Sequence, residues 1–92
     1  EKIFASDIRW TEAMGDYVKV VTKNKNYMVL STMKSFLSKL PEGQFVRIHK
    51  SYIVNLDKVN YYTSKDVNTD GKILPLSRNQ KNIFQDSYLN YQ

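Results

Sequence analysis

Apolar and polar residues alternate along most of this chain in short runs. Tyr17-Val18-Lys19-Val20-Val21-Thr22 is the clearest case: period-two alternation with β-branched side chains marks a half-buried strand. Asp7 to Ala13 forms a second strand candidate before it, and Gly15-Asp16 is a turn signal between the two. Ile3 to Ala5 offers a further short strand at the start. Lys23 to Asn26 is a polar turn, and Tyr27 to Leu30 resumes the extended pattern, which together predict a hairpin.

The period then changes. Met33, Phe36, Leu37 and Leu40 stand at i, i+3, i+4 and i+7, one apolar face of a helix near 32–40. Ser31 or Thr32 caps its start. Pro41-Glu42-Gly43 stops it, because proline cannot continue the hydrogen bonding and glycine suits the turn that follows. Phe45 to His49 alternates again, Tyr52 to Val54 follows a tight Lys50-Ser51 corner, and Val59 to Thr63 is a third extended run. Asp66 to Gly71 reads as a turn. Lys72 to Leu76 reads as a last strand, with Pro75 near its end as at a sheet edge. Ser77-Arg78-Asn79-Gln80 has the form of a capping box opening a C-terminal helix near 78–90. Ile83, Phe84, Tyr88 and Tyr91 supply that helix with a stripe, and Arg78 falls in its first turn.

Length and composition narrow the function. A chain of 92 residues, without internal repeat, low-complexity tract or linker, is one domain's worth. It buries only about 60–65% of its unfolded surface, too little for a core and a deep catalytic cavity together. A net charge of +5 fits a polyanionic partner, nucleic acid or an acidic membrane surface. The absence of Cys excludes disulfides and thiolate metal sites and suits a reducing cytoplasm. No apolar run has the length of a membrane span, and no signal peptide is visible. Glu1 is not an initiator Met, so the chain reads as a fragment of a longer protein.

Catalysis finds little material. His49 is the single histidine, without a nucleophile at triad-like spacing, and its plain role is a hydrogen bond across a strand corner. Scattered carboxylates offer no metal set, and Gly15, Gly43 and Gly71 form no phosphate loop. Seven tyrosines invite base stacking, but Tyr61 and Tyr62 are neighbours on a strand, so at least one of them faces inward. Arg47 reads as a structural residue holding a carboxylate or carbonyl, and Asn55 as one that satisfies turn backbone.

The run Phe45-Val46-Arg47-Ile48-His49-Lys50-Ser51-Tyr52-Ile53-Val54-Asn55-Leu56 closely resembles the LytTR signature, Phe-x-Arg-x-His-basic-Ser-aromatic-x-Val-Asn after a short helix. Glu12-Ala13-Met14-Gly15-Asp16-Tyr17-Val18 resembles the family's hairpin, and Leu74-Pro75-Leu76-Ser77-Arg78 its strand end. The resemblance covers nearly the whole chain, in order. It identifies residues 1–92 as a LytTR-type DNA-binding domain, the output module of a bacterial response regulator.

The resemblance implies a mainly β fold of elongated antiparallel sheets with short helices, and DNA read by loops in successive major grooves. It places base reading at Arg78, at Lys50 and at the Gly15–Tyr17 turn with Asp16 and Tyr17. Backbone contacts fall to His49, Ser51, Ser77, Asn79 and Lys81. It implies no cofactor, metal or catalysis, a cytoplasmic location, double-stranded DNA with imperfect direct repeats as partner, a dimer on that DNA, and a receiver or sensor domain upstream. Two departures stand out. The family has a little more strand before the segment that opens this chain. Lys50 stands where arginine is common, a point charge in place of a bidentate fork.

Residue chemistry supports these roles unevenly. Arg78 can donate twice to guanine O6 and N7. Ser77 and Asn79 at a helix start suit a phosphate. Asp16 accepts only from cytosine and repels phosphate, which leaves Met14 or Tyr17 to meet a thymine methyl. Two other classes stay open on the residues alone: a β-rich protein-interaction module, and a single-stranded nucleic-acid binder using exposed tyrosines.

Overall fold

The computed structural model describes residues 2–91; Glu1 and Gln92 lie outside them. Five strands, β1 (Ile8–Met14), β2 (Tyr17–Thr22), β3 (Asn26–Leu30), β4 (Phe45–His49) and β5 (Tyr52–Asn55), form one sheet in the order β3-β2-β1-β5-β4. All of its pairings are antiparallel. Three more, β6 (Val59–Tyr62), β7 (Asp66–Thr69) and β8 (Lys72–Pro75), form a second antiparallel sheet in sequence order. Helix α1 (Met33–Ser38) carries the chain from β3 at one edge of the large sheet to β4 at the other, and α2 (Lys81–Tyr91) closes the fold. The molecule measures 34 × 24 × 22 Å, so it is elongated, as expected.

Side-chain alternation splits the core across the large sheet. Ile8, Val18, Val20, Phe45 and Ile53 face one way and pack with Met33 at the start of α1. Trp10, Val46, Ile48 and Val54 face the other way, against Val67 and Leu74 of the small sheet and Phe84 of α2. Tyr62 meets Phe84 edge-on at 5.1 Å, and Tyr88 stacks on Phe84 at 5.7 Å. Burying each large aliphatic here contributes roughly 1.5–3 kcal/mol. Asn55 is fully buried and satisfied. Its amide donates to the Ile8 carbonyl at 2.7 Å, and its oxygen accepts from the Asp57 N–H at 2.9 Å. It holds the start of β1 to the end of β5 and caps the short 3-10 turn Leu56–Lys58. The two sheets are also tied by Arg9, whose guanidinium meets Asp70 at 2.5 Å.

Most sequence expectations hold within a residue or two. The Thr32 hydroxyl caps α1 by accepting from Ser35 N at 3.0 Å. The helix ends at Ser38, and Leu40 N then donates to Leu37 O in a tighter turn. Pro75 ends β8, an edge strand. Tyr62 packs inward while Tyr61 stays exposed.

Three expectations fail. Ile3 to Ala5 is not a strand, since Ala5–Asp7 winds into a 3-10 turn. Asp66 to Gly71 is not one long turn. Asp66–Thr69 is β7, the central strand of the small sheet, and only Asp70 and Gly71, at φ of 57° and 84°, make the hairpin turn. Thr69, fully buried in β7, is paired: its Oγ1 donates to Lys58 O at 3.1 Å. The third failure is the capping box. Ser77 makes no side-chain cap, Arg78–Gln80 is a 3-10 turn, and α2 begins only at Lys81. The stripe shifts with it, leaving Ile83 exposed.

Candidate nucleic-acid interface

Strand register decides which loops meet. Because β1 and β2 form a hairpin, Met14 pairs with Tyr17 around the Gly15-Asp16 turn. Gly15 sits at φ +60°, a left-handed conformation that a side chain would strain. Because β5 runs antiparallel beside β1, Tyr52 pairs with Glu12, and Ala13 N donates to Ser51 O at 2.9 Å. The Lys50-Ser51 corner therefore lies at the same end of the large sheet as the Gly15-Asp16 turn.

The C-terminal turn is fastened to this end by two hydrogen bonds. Ser77 N donates to the Ile48 carbonyl at 2.9 Å, and Gln80 Nε2 donates to the Arg47 carbonyl at 2.6 Å. Ser77 Oγ lies 3.2 Å from the same Ile48 oxygen and 3.1 Å from Asn79 Oδ1. Side chains that capping chemistry would turn toward their own helix instead clamp that turn to β4. Arg78, between the clamps, is exposed.

The corner is built with equal care. A bulge interrupts the β4–β5 register between Arg47 and His49. Arg47 donates from its guanidinium to the Lys50 carbonyl, which matches its expected structural role. Its Nε is buried without a hydrogen-bond partner. His49 Nδ1 accepts from Ser51 N at 3.1 Å, a bond across the corner that leaves Nε2 as the ring's donor when neutral. Tyr52 packs between Trp10 and His49, at 6.0 and 5.7 Å, and its hydroxyl reaches Glu12 at 3.5 Å. Partial burial first, then the Glu12 charge and hydrogen bond, raise the Tyr52 phenol above its ordinary 10.0.

An open hollow of about 480 Å³ lies between corner and turn, lined by Arg47, His49, Lys50, Ser77, Asn79 and Gln80. It gathers four of the nine residues expected to touch a ligand: His49, Lys50, Ser77 and Asn79. Arg78 sits on the turn beside it, outside its wall. Ser51 is half-buried with its backbone engaged on both sides, and Lys81 is half-buried at the start of α2. Asp16 and Tyr17 share the end of the sheet but not the hollow; both are exposed. Arg47 and Gln80 are the residues that sequence reasoning did not assign to the site. Arg47 stood inside the Phe-x-Arg-x-His pattern, and Gln80 was assigned to its own helix instead. Among the described residues no three His, Cys, Asp or Glu side chains group to hold a metal. Among them, no helix is long and apolar enough to cross a membrane.

Two antiparallel sheets that gather cationic and amide side chains on loops at one end define a β-rich domain with a loop-built polar rim. The model of the LytTr DNA-binding domain matches residues 1–88, and the chain belongs to that family, a DNA-binding family of transcriptional regulators. It is similar to the transcriptional regulatory protein YpdB of Escherichia coli K12, 37% identical over 54 residues, covering 59% of this chain and 22% of that protein. It is also similar to the sensory transduction protein LytT of Bacillus subtilis, 30% identical over 78 residues, covering 78% of this chain and 32% of that one. The matched segment is thus at most about a third of these relatives' length. A solved LytTr DNA-binding domain of a putative methyl-accepting/DNA response regulator from Bacillus cereus has the same fold. Its TM-score is 0.82 at 22% identity, over 92% of this chain and 84% of that one.

Proposed function

We propose that this chain is the sequence-specific, double-stranded-DNA-binding output domain of a transcriptional response regulator, reading successive major grooves with loops. The observation that carries the reading is the pair of clamps from Ser77 and Gln80 to β4. They fasten the turn that carries Arg78 to β4, next to the corner that carries Lys50, at the end of the sheet that also holds the Gly15-Asp16 turn. Side chains on loops fixed to a rigid sheet can enter a groove without a recognition helix.

In this mechanism Arg78 donates to guanine, Lys50 reads beside it, and Asp16 or Tyr17 reads a separate groove. His49, Ser51, Ser77, Asn79 and Lys81 hold phosphates and set the register without reading sequence. Phosphate neutralisation releases counterions, so affinity falls with salt. Arg47 acts through Lys50 by holding the corner. Residues 1–92 act as one module, an upstream receiver or sensor domain controls it, and two copies occupy imperfect direct repeats in the cytoplasm. The relatives named for transcriptional regulation and sensory transduction support that setting.

The test is selection of bound duplexes from a random pool, followed by titration of the winner and its single strands across salt. Preference for one duplex sequence with a steep salt slope supports the reading. Preference for single strands, or no enriched sequence, refutes it.

A further inference from the structure

Leu30, the last residue of β3, is the most exposed large apolar side chain among the described residues, at 71%. A single exposed leucine is ordinary, but the neighbours of this one are apolar and exposed too. Leu30 pairs with Tyr17, and Tyr17 with Met14, at 45% and 43% exposure. Residues directly opposite across antiparallel strands share a face with Cβ atoms about 5 Å apart, so the three form a row roughly 10 Å long. Ser31 N donates to Asp16 O at 3.3 Å, which ties the end of β3 to the Gly15-Asp16 turn. Leu30 is thereby held beside a turn assigned to base reading, on a strand rather than on the loop itself. None of the residues that the family pattern assigned to DNA lies on β3.

The size of the row selects its occupant. Behind it the next rung joins Met28, Lys19 and Glu12, where Lys19 Nζ faces Glu12 Oε1 at 3.9 Å, so the apolar strip is narrow. A standard protein interface covers about 800 Å² on each partner, more than three side chains supply. The major groove of a duplex is about 12 Å wide, which admits a row of this length, and thymine presents its C5 methyl there. Leu30 has neither donor nor acceptor on its side chain, so that methyl is the feature of a base edge it can select. The row is continuous with the Gly15-Asp16 turn, because Met14 and Tyr17 are the residues that flank it.

We propose that Leu30 is a specificity-determining residue that packs on a thymine methyl in the groove read by the Gly15-Asp16 turn, an inference that rests on the assignment of that turn to DNA. The experiment uses the duplex enriched from a random pool, with each thymine replaced in turn by deoxyuridine, which removes only the methyl. The proteins are the wild type, Leu30→Ala, Leu30→Gln and Leu89→Ala, each checked for folding by its thermal melt. Leu89 is a control of matching exposure, 68%, near the far end of α2, where Tyr91 donates to Asp57. For the wild type, one replacement is expected to weaken binding about fourfold, the worth of burying one methyl group. Leu30→Ala should bind the thymine duplex about fourfold more weakly and no longer distinguish uracil at that base, with every other base unaffected. Leu30→Gln should lose the same discrimination, which a change in the strand alone would not produce. Leu89→Ala should behave as the wild type. The absence of any uracil-sensitive base overturns the proposal, and so does a sensitivity that survives both Leu30 variants. A single-base loss with Arg78→Ala on the same duplex would then leave the DNA reading standing and remove only the part given to Leu30. Failure to enrich any duplex removes both.

Discussion

Gln80 Nε2 donates to the Arg47 carbonyl across 2.6 Å, joining residues 33 apart in sequence. Arg47 in turn donates to the Lys50 carbonyl. One chain of hydrogen bonds therefore runs from the turn that carries Arg78 to the corner that carries Lys50. Gln80→Ala cuts it without touching either cation. The expected cost in stability is about 0.5–1.5 kcal/mol, one net hydrogen bond, while DNA affinity falls further than the melt accounts for. Affinity that tracks stability alone would show that the clamp does not position the rim.

Arg78 and Lys81 stand close in sequence but have different assigned duties. Arg78→Ala should cost about 1–3 kcal/mol of binding and relax preference at one base pair. Lys81→Ala should weaken all duplexes alike and reduce the salt slope by about one. Binding isotherms on a panel of single-base operator variants at several salt concentrations separate the two. A base-specific loss at Lys81, or none at Arg78, would reverse the assignment.

Asn55 is fully buried at the end of β5, where its amide donates to the Ile8 carbonyl and accepts from the Asp57 N–H. Asn55→Leu fills similar space but leaves the Ile8 carbonyl and Asp57 N–H without their partner. The buried Ile8 carbonyl left unpaired costs about 1–3 kcal/mol and the part-buried Asp57 N–H less, so urea midpoints should fall. An unchanged midpoint would mean that water reaches those groups.

Tyr52 predicts an alkaline limit to stability. Its phenol titrates above 10.0 in the folded chain, so the folded state holds the proton more tightly than the unfolded one. The resulting contribution is complete below about pH 10 and disappears as pH rises through the folded value. Thermal melts from neutral to strongly alkaline pH should show a steeper decline for wild type than for Tyr52→Phe. Parallel curves would count against it.

Much of this was legible from residues alone, and the misses share a cause. The strand Tyr17–Thr22 and the helix beginning at Met33 announce themselves by local periodicity. The run from Phe45 to Leu56 carries the family's pattern. Asp66–Thr69 looked like a turn because Asp, Asn and Thr favour turns locally. Its strand identity comes from neighbours on both sides and a buried Thr69 bond to Lys58, neither visible along the sequence. Ser77 and Gln80 were misread for the same reason. Their spacing matches a local cap, but β4 offers carbonyls that compete for the same donors. The residues expected to meet DNA were chosen by pattern; that four of them share one hollow required the tertiary fold.

The placement of β5 between β1 and β4 has a kinetic consequence. The hairpins β1–β2 and β4–β5 can form from local contacts, but joining them must close a loop of about forty residues. Before that closure the Gly15-Asp16 turn and the Lys50-Ser51 corner have no fixed relation. Competence to bind should therefore appear in a refolding experiment only with the slowest assembly step, however early strand signal is gained.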